Sequence, residues 1–427
     1  MTVLVFIGSL LAAMALGMPL AFSLIVSGVA LMLHLDTFDT QIVSQNLISG
    51  ADNFPLMAVP FFMLAGELMN AGGMSRRIVE SAMVWVGHLR GGLGYVAVFA
   101  AIVMASLSGS AVADTAALAA ELLPMMRQAG YRMDRSAGLI AAGGIIAPII
   151  PPSIGFILFG VVGGVSISKL FMAGIFPGIL MGVALIITWR IVAARDNVKV
   201  APRVPLKERL RVTADAFWCY LLAVTIIGGM KMGVFTPTEA AVVAVVYALL
   251  IGMFVYREIQ VRHLYGIILA AAKTSSVVMF LVAAALVSAW LITVANIPNQ
   301  IADLARPFMD NPKLLMVVLM LLVLVVGTAL DFAPTVLILT PVLMPLVKQA
   351  GIDPVYFGVL FIMNNAIGLL TPPVGTVLNV VCGVGRIPMH EVIKGVMPFL
   401  LSQVVVLGLL IAFPELVMTP MRWLMMK

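Results

Sequence analysis

A small polar group interrupts one of the apolar stretches of this sequence, and its residue types suit the binding of a cation. The group consists of Ser106, Ser108, Gly109, Ser110 and Asp114. Hard cations prefer hydroxyl, carbonyl and carboxylate oxygens as ligands. The alternative reading is that the serines and the aspartate cap the helix that follows, which does not exclude ion binding.

A second group of the same kind occurs later in the chain. Gly327, Thr328 and Asp331 again combine a glycine, a hydroxyl and a carboxylate inside an apolar run. A carboxylate at the centre of a bilayer costs about 2.5–3.5 kcal/mol on insertion scales, so such residues usually have a function. The sequence therefore predicts two cation sites rather than one.

Two proline-rich breaks supply further oxygen atoms to these sites. Proline lacks an amide hydrogen and clashes with the preceding helical turn, so a Pro-Pro pair opens a helix and frees carbonyl oxygens. Interrupted helices with free carbonyls are typical of the sodium sites of transporters. The residues that we assign to the breaks are Ala147, Pro148 and Pro151 for the first sodium site, and Gly368, Thr371 and Pro372 for the second.

The composition indicates which elements must position these residues. The chain has 427 residues, of which 62% are hydrophobic and 10% charged. Apolar segments of about 20 residues, the length of a membrane-spanning helix, recur from end to end. We therefore predict an all-α polytopic membrane protein. The net charge of +6 reflects basic loops, and nothing in the sequence indicates nucleic-acid binding.

The chain repeats itself. LLPMMRQAG (122–130) resembles LMPLVKQAG (343–351) at an offset of 221 residues, and the same offset aligns the two Pro-Pro pairs. Upstream the offset is 218, which pairs Gly109 with Gly327. One three-residue insertion explains the difference. The sequence predicts two homologous halves, about 1–192 and 214–427.

The charges of the loops predict that the halves are inverted. The basic linker 193–213 is cytoplasmic by the positive-inside rule. Loop 34–41 has no Lys or Arg, whereas its counterpart 256–263 is basic. Loop 127–135 is basic, whereas its counterpart 348–353 has little net charge. Matching loops of opposite character indicate halves that cross the membrane in opposite directions.

Each half must then contain an odd number of crossings, and we expect about five transmembrane helices and one re-entrant helical hairpin. The first hairpin is predicted at about 92–126 and the second at about 313–347, because these segments begin and end beside loops on one side. The broken helices are predicted at about 136–165 and 356–385. Non-helical backbone at membrane depth occurs only where it is buried in protein or lines a cavity.

A carboxylate substrate would suit the space between the two tips, because helices begin just after each tip and their N-terminal ends favour anions. We assign Ser153, Asn365, Thr376 and Asn379 as candidate substrate-binding residues. Neither a cofactor nor a transition-metal site is expected, since the four histidines lack ligand spacing. A membrane-embedded enzyme would need a nucleophile with its base or a set of metal ligands, and the four histidines do not approach the hairpin tips in the sequence. A channel is less consistent with sites buried in two opposed hairpins.

At these motifs the chain resembles the large membrane subunit of tripartite ATP-independent periplasmic (TRAP) transporters. The segments that carry the resemblance are NFPLMAVPFFMLAGELMNAGG (53–73), SLSGSAVADTAAL (106–118), GGIIAPIIPPSIGFILFG (143–160), GVFTPTEAAVVAVVYAL (233–249), LILTPVLMPLVKQAGIDPVYFGV (337–359) and GLLTPPVGTVLNVVCGV (368–384). The resemblance implies sodium-driven uptake of an organic acid across the bacterial inner membrane. It also implies an elevator mechanism, in which a domain that carries both hairpins slides against a fixed scaffold.

The resemblance further implies two protein partners, a periplasmic substrate-binding protein and a small four-helix membrane subunit on a separate chain. It places Ser108, Ser110 and Asp114 in a first ion site. It places Gly327, Thr328 and Asp331 in a second ion site. The rival interpretation is a sodium–carboxylate symporter that needs no binding protein.

Overall fold

The computed structural model describes residues 2–194, 202–372 and 374–425. Part of the predicted basic linker, 195–201, and Pro373 of the second Pro-Pro pair lie outside the described residues. The described residues form helices and connecting turns. Those of the first half are α1 (Thr2–Ala15), α2 (Leu20–His34), α3 (Thr40–Ala51), α4 (Ala58–Ala71), α5 (Met74–Val86), α6 (Gly92–Ser108), α7 (Ala111–Gln128), α8 (Met133–Gly144), α9 (Ile154–Gly163) and α10 (Ile167–Ala193).

The second half has the same order of elements. Its helices are α11 (Leu206–Asp215), α12 (Phe217–Lys231), α13 (Pro237–Leu250), α14 (Val261–Val294), α15 (Ile297–Met309), α16 (Pro312–Ala329), α17 (Phe332–Gln349), α18 (Pro354–Gly368), α19 (Thr376–Gly385), α20 (Met389–Ala412) and α21 (Glu415–Met425). A short 3-10 turn, Phe54–Met57, precedes α4, and a π-helical turn, Ile251–Val255, follows α13. The long helix α14 covers the positions that α3 and α4 occupy in the first half.

Six helical segments among the described residues are long and apolar enough to cross a bilayer, and α11 with α12, which meet at a 53° bend, would make a seventh. The six are Phe54–Ala71, Ile167–Ala193, Pro237–Val255, Val261–Val294, Phe332–Gln349 and Met389–Ala412. Several further apolar helices have only 10–17 residues, among them α6, α9, α18 and α19. Short apolar helices are what hairpin arms and interrupted spans require.

The helices form two groups. The outer group contains α1 to α4 and α12 to α14, which pack mainly on one another. The inner group contains α6 to α10 and α16 to α20. Within it, α7 packs on α19 of the other half, and α17 packs on α9. The second arm of each hairpin thus packs against the broken helix of the other half.

The open ends of the two hairpins lie at opposite ends of α20. Beside its first turns, Arg127 of hairpin α6–α7 donates to the carbonyl oxygen of Gly385 at 2.8 Å. At its last residue, Lys313 of hairpin α16–α17 donates to the carbonyl oxygen of Ala412 at 3.1 Å. A helix of 24 residues is about 36 Å long. The fold is therefore an all-α membrane architecture with two halves in inverted orientation.

Two helices differ from the sequence expectation. No helix is predicted from the sequence at residues 40–51 and 74–86, and these residues form α3 and α5. Both helices are too short and too polar to be recognised as membrane spans from the sequence. The helix α5 is amphipathic, with Ile78 and Val79 buried and Arg76 exposed. Tertiary contact with α6 stabilises the apolar face of α5.

Candidate functional site

The first hairpin turns at Gly109, between α6 and α7. Gly109 has φ +64°, and a Cβ atom at this residue would lie 2.3 Å from the carbonyl oxygen of Pro152. Only glycine allows both this conformation and this close approach. Ser110 caps α7, since its hydroxyl accepts a hydrogen bond from the amide of Ala113 at 3.4 Å. The predicted tip is thus seated directly on the predicted break between α8 and α9.

Asp114 lies behind this tip and is buried, with 2% of its surface exposed. Its Oδ1 atom accepts a hydrogen bond from the hydroxyl of Ser108. Its Oδ2 atom is buried and has no hydrogen-bond partner among the described residues. A buried ionised carboxylate is costly unless a cation or a donor compensates it. The free oxygen of Asp114 is therefore a strong candidate cation ligand.

Thr115 is a further candidate ligand at the predicted first site, and sequence reasoning missed it. Its hydroxyl is fully buried without a hydrogen-bond partner in the described chain. A Cβ atom on Gly144 would overlap this hydroxyl, so Thr115 packs directly against the end of α8. Ser106 contributes less than predicted, because its hydroxyl donates to Val103 of its own helix at 2.6 Å. The signal available in the sequence was the Asp-Thr pair itself.

The first break contains Ala147, Pro148 and Pro151, all of which are buried. Ser153 ends the break and caps α9 by accepting from the amide of Phe156 at 3.1 Å. Its hydroxyl donates to the carbonyl oxygen of Pro148. Ser153 is fully buried and uses its hydroxyl within the break, and its role in substrate binding stays a prediction.

The second tip differs from the first in its local geometry. Asp331 is exposed and caps α17, accepting from the amide of Phe332 at 2.9 Å. Thr328 donates its hydroxyl to Val325 of its own helix at 2.7 Å. The predicted ligands Thr328 and Asp331 thus do not form a buried carboxylate–hydroxyl pair. At the offset of 221 residues the counterpart of Asp114 is Thr335, which is fully buried, and the counterpart of Asp331 is Ser110, which caps α7 as Asp331 caps α17.

Asn365 lies beside the glycines of the predicted second site. Its side-chain oxygen is buried without a hydrogen-bond partner among the described residues, and its amide donates to the carbonyl oxygen of Phe332 at 2.9 Å. A Cβ atom on Gly327 would lie 3.1 Å from that free oxygen. A Cβ atom on Gly368 would lie 3.0 Å from the backbone of Gly327. Asn365, assigned to substrate from the sequence, therefore lies with the glycines of the second ion site.

Asn365 corresponds to Gly144 at the offset of 221 residues. Each half thus has a side-chain oxygen without a partner where its hairpin meets its broken helix, but a different helix supplies that oxygen in each half. In the first half Thr115 reaches Gly144 from the hairpin, and in the second half Asn365 reaches Gly327 from the broken helix. Each hairpin meets its own broken helix at a glycine, where a larger residue would separate them.

The remaining predicted residues lie around the second break. Thr371 donates its hydroxyl to Ile367 at 3.0 Å, and Pro372 follows it, half-buried. Thr376 begins α19, with its hydroxyl 3.5 Å from Oδ1 of Asp331. Asn379 is exposed, and its amide donates to Val374 at 3.1 Å. Of these residues, Thr376 lies beside the tip, whereas Asn379 lies away from it on an exposed face.

One cavity of about 140 Å³ joins the two tips. Gly109, Ser110 and Ala111 line it from the first hairpin, and Asp331, Phe332 and Ala333 line it from the second. Pro148 and Leu369 of the two breaks, and Met63 and Val278 of the outer helices, also line it. The N-terminal ends of α7, α9 and α17 meet this cavity. Helix N-termini carry partial positive charge, so the geometry favours an anion between the tips.

Comparison with known proteins identifies the family. The model of the family "Tripartite ATP-independent periplasmic transporter, DctM component" matches residues 7–416. A putative TRAP transporter large permease protein of Haemophilus influenzae is 56% identical over 99% of this chain and 100% of its own length. The 2,3-diketo-L-gulonate TRAP transporter large permease protein YiaN of Escherichia coli is 55% identical over 99% of this chain and 100% of its own length.

A solved structure supports the fold independently. The YdaH transporter of Alcanivorax borkumensis superposes with a TM-score of 0.62 at 15% sequence identity, and the match covers 88% of each chain. At this identity the similarity concerns the fold alone. The family model and both permease relatives, by contrast, match nearly the whole chain, which confirms the resemblance seen in the motifs. The chain is a multi-pass membrane protein that belongs to the DctM family, the large permease component of tripartite ATP-independent periplasmic transporters.

Proposed function

We propose that this chain is the permease through which a bacterium imports an organic acid across its inner membrane, driven by the sodium gradient. The observation that supports the proposal best is the shared cavity of the two hairpin tips, because buried free oxygens of Asp114, Thr115 and Asn365 lie behind it. Cation sites next to an anion site are what sodium-coupled uptake of an acid requires.

Sodium is the ion that fits these positions. The candidate ligands are a carboxylate, a hydroxyl and an amide oxygen, together with carbonyl oxygens of the two breaks. Such oxygen ligands suit hard cations and lack the thiolate or imidazole groups that transition metals prefer. We assign Asp114, Thr115 and Ser108 to the first sodium ion, and Asn365 with the backbone near Gly327 to the second.

The same geometry explains why transport of the acid would depend on sodium. Asp331 lines the shared cavity, and the carboxylate of Asp114 lies just behind the tip. The buried carboxylate of Asp114 repels an incoming anion unless a cation neutralises it, whereas solvent screens the exposed carboxylate of Asp331. Bound sodium removes this repulsion and leaves the helix N-termini to attract the substrate. Coupling between sodium binding and binding of the acid then follows from electrostatics.

The substrate class is a carboxylate of the size of a sugar acid. The relative YiaN, 55% identical, is named for 2,3-diketo-L-gulonate, a six-carbon keto acid. Two sodium ions with one monovalent acid would carry a net charge of +1 inward. Each charge that moves through 100 mV releases about 2.3 kcal/mol, so the membrane potential would add to the sodium gradient.

An elevator motion suits the separation of the helices into two groups. The inner group holds both hairpins and both breaks, whereas the outer group packs mainly on itself. We propose that the inner group slides against the outer helices and carries the substrate with it. A small four-helix membrane subunit would brace the outer group, and a periplasmic substrate-binding protein would deliver the acid.

Reconstitution in proteoliposomes tests this proposal. The permease is inserted with its small subunit, the loaded binding protein is added outside, and uptake of a labelled sugar acid is measured with and without an inward sodium gradient. We expect uptake only when sodium and all three proteins are present. Uptake by the permease alone would favour the self-sufficient symporter, and uptake unaffected by sodium would refute the coupling.

A further inference from the structure

Three cavities connect the site between the tips to one face of the molecule. The shared cavity of the tips continues into a cavity of about 60 Å³, and both are lined by Met63 and Ser110. That cavity continues into a cleft of about 470 Å³, and both are lined by Glu67 and Asn70. The cleft ends at Arg76 and Glu258, and Glu258 belongs to the loop 256–263, whose Lys and Arg content predicts a cytoplasmic position.

A separate cleft of about 540 Å³ opens on the opposite face, between α3, α9, α14 and α17. Its volume falls within the roughly 300–1,000 Å³ of small-molecule sites. Its polar lining residues are Asn46, Ser49, Trp290, Thr293 and Lys348. Nothing in the proposed sodium sites or in the cavity of the tips uses this cleft.

This outer cleft and the cavity of the tips lie along the same helices. Ala333 lines the inner cavity from α17, and Pro341 lines the outer cleft eight residues later, about 12 Å along the helix. The segment between them is closed, since Val336 and Thr340 are fully buried, as is Val282 of α14. Buried side chains therefore separate the two spaces in this conformation.

Lys348 gives the outer cleft its charge. Among the described residues that line this cleft, it is the one that carries a charge, and its side chain is exposed. The cleft on the other face is lined by three glutamates, Glu67, Glu121 and Glu258, against Arg76. A cleft lined by one sign of charge concentrates ligands of the opposite sign. The outer cleft thus attracts an anion, and the other cleft repels it.

A buried polar atom lies behind the wall of the outer cleft. The hydroxyl of Thr340 has no hydrogen-bond partner among the described residues. Its methyl group would lie 3.2 Å from a Cβ atom on Gly163, which itself lines the cleft. A buried polar group without a hydrogen-bond partner costs free energy, and contact with water would remove that cost. Separation of α17 from its neighbours would expose this hydroxyl on the route from Lys348 to the tips.

We propose that this outer cleft is the vestibule in which the permease first binds its anionic substrate, and that Lys348 binds the carboxylate there before the hairpins receive it. The proposal rests on the proposed function, because it takes the substrate to be an organic acid. Lys348 acts in capture, and the tips and sodium sites act in translocation.

Substitution of Lys348 in the reconstituted three-protein system tests this assignment. We expect Lys348→Gln to raise the KM for the acid-loaded binding protein by about 10-fold, with kcat and the sodium requirement unchanged, because electrostatic capture changes association by about 10-fold or more. Lys348→Arg should restore most of the affinity. The effect should shrink when choline chloride raises the ionic strength, because salt screens an exposed charge.

The matched control is Lys313→Gln. Lys313 is an exposed lysine near the open end of the same hairpin, but it donates to Ala412 and does not line the cleft. An unchanged KM in Lys348→Gln, or an equal change in both variants, would overturn the proposal while sodium-driven uptake by the wild type stands. A loss of folded protein in Lys348→Gln with normal KM for the remainder would show a structural role only. Absence of sodium-driven uptake by the wild type would instead refute the proposed function.

Discussion

At the level of single residues, the candidate site is defined by oxygen atoms without partners. Oδ2 of Asp114 and Oδ1 of Asn365 are buried, and neither accepts a hydrogen bond from a described residue. Such a group costs about 1–3 kcal/mol when it is neutral and more when it is charged. Such a group is expected at a binding site, because a bound ligand supplies the missing partner and offsets this free energy. Both oxygens lie beside a hairpin, where the backbone is also interrupted.

The first prediction concerns Asp114. Replacement by Asn keeps the shape of the side chain but removes the negative charge that would bind sodium. We expect Asp114→Asn to raise the sodium concentration for half-maximal uptake at least about 10-fold, since bonds to charged groups contribute about 1.5–3 kcal/mol. Sodium titration of uptake in proteoliposomes measures it.

The control for this change is Asp353→Asn. Asp353 caps α18 through the amide of Val355 at 2.7 Å, away from both tips. Asn caps a helix about as well as Asp, so this variant should keep the sodium requirement of the wild type. Equal sodium titrations for Asp114→Asn and the wild type would remove Asp114 from the ion site.

The second prediction concerns Asn365. We expect Asn365→Ala to weaken the stabilisation of the purified permease by sodium, because a ligand that binds the folded state raises its stability in proportion to its affinity. Thermal unfolding in detergent with sodium or choline chloride measures the difference. Asn379→Ala is the matched control, since Asn379 is exposed and its side-chain amide donates to the carbonyl oxygen of nearby Val374. If sodium raises the Tm of Asn365→Ala as much as that of the wild type, Asn365 is not a ligand.

At the level of helices, close contacts at glycines hold the inner group together. The helices α8 and α20 cross at Gly138 and Gly395, where a Cβ atom on Gly395 would lie 1.9 Å from the carbonyl oxygen of Asp134. Small residues at such crossings let two helix backbones approach closely in a membrane. Because α8 leads into the first break and α20 belongs to the second half, this crossing fixes the first site relative to its counterpart.

The third prediction follows from this crossing. We expect Gly395→Ala to destabilise the permease by about 1–3 kcal/mol, since the added methyl group has no space against the backbone of α8. Gly408→Ala in the same helix is the control. No atom lies within 4 Å of the position of its Cβ, and Ala favours a helix over Gly by up to about 1 kcal/mol. Thermal unfolding of the purified variants compares them. A Tm for Gly395→Ala equal to or above that of Gly408→Ala would contradict the described crossing.

At the level of the whole molecule, the open ends of the hairpins lie at opposite ends of α20, as inverted halves require. This symmetry suits alternating access, because one half can close the site on one side of the membrane while the other half opens it on the opposite side. In this conformation the cavities lead from the tips toward Arg76, and the side of Lys348 is closed. The residue limits of the two halves, 1–192 and 214–427, stay a prediction.

The fourth prediction tests this orientation across the membrane. Gln128 and Gln349 are exposed counterparts at the offset of 221 residues, each at the end of a hairpin. In a variant without Cys219 and Cys382, we expect a cysteine at position 349 to react with a membrane-impermeant maleimide added to intact spheroplasts. A cysteine at position 128 should react only in inside-out vesicles. Reaction of both positions from one side would refute the inverted arrangement.

The sequence alone determined the class of the molecule, its duplication and the position of its interruptions. These properties depend on local chemistry: the length of apolar segments, the repeated spacing of prolines and the turn at Gly109. The helices α3 and α5 escaped prediction because contacts with other helices, rather than their own apolar length, stabilise them.

Only the tertiary structure decided which oxygen atoms remain free. Asp331 has the residue type of a ligand but is exposed and caps its own helix, whereas Asn365 is buried against Gly327, 38 positions earlier in the chain. Whether a polar atom finds a partner depends on what packs against it, and residues far apart in the sequence supply those neighbours. For the same reason the cleft around Lys348, built from four separate helices, has no signature in the sequence.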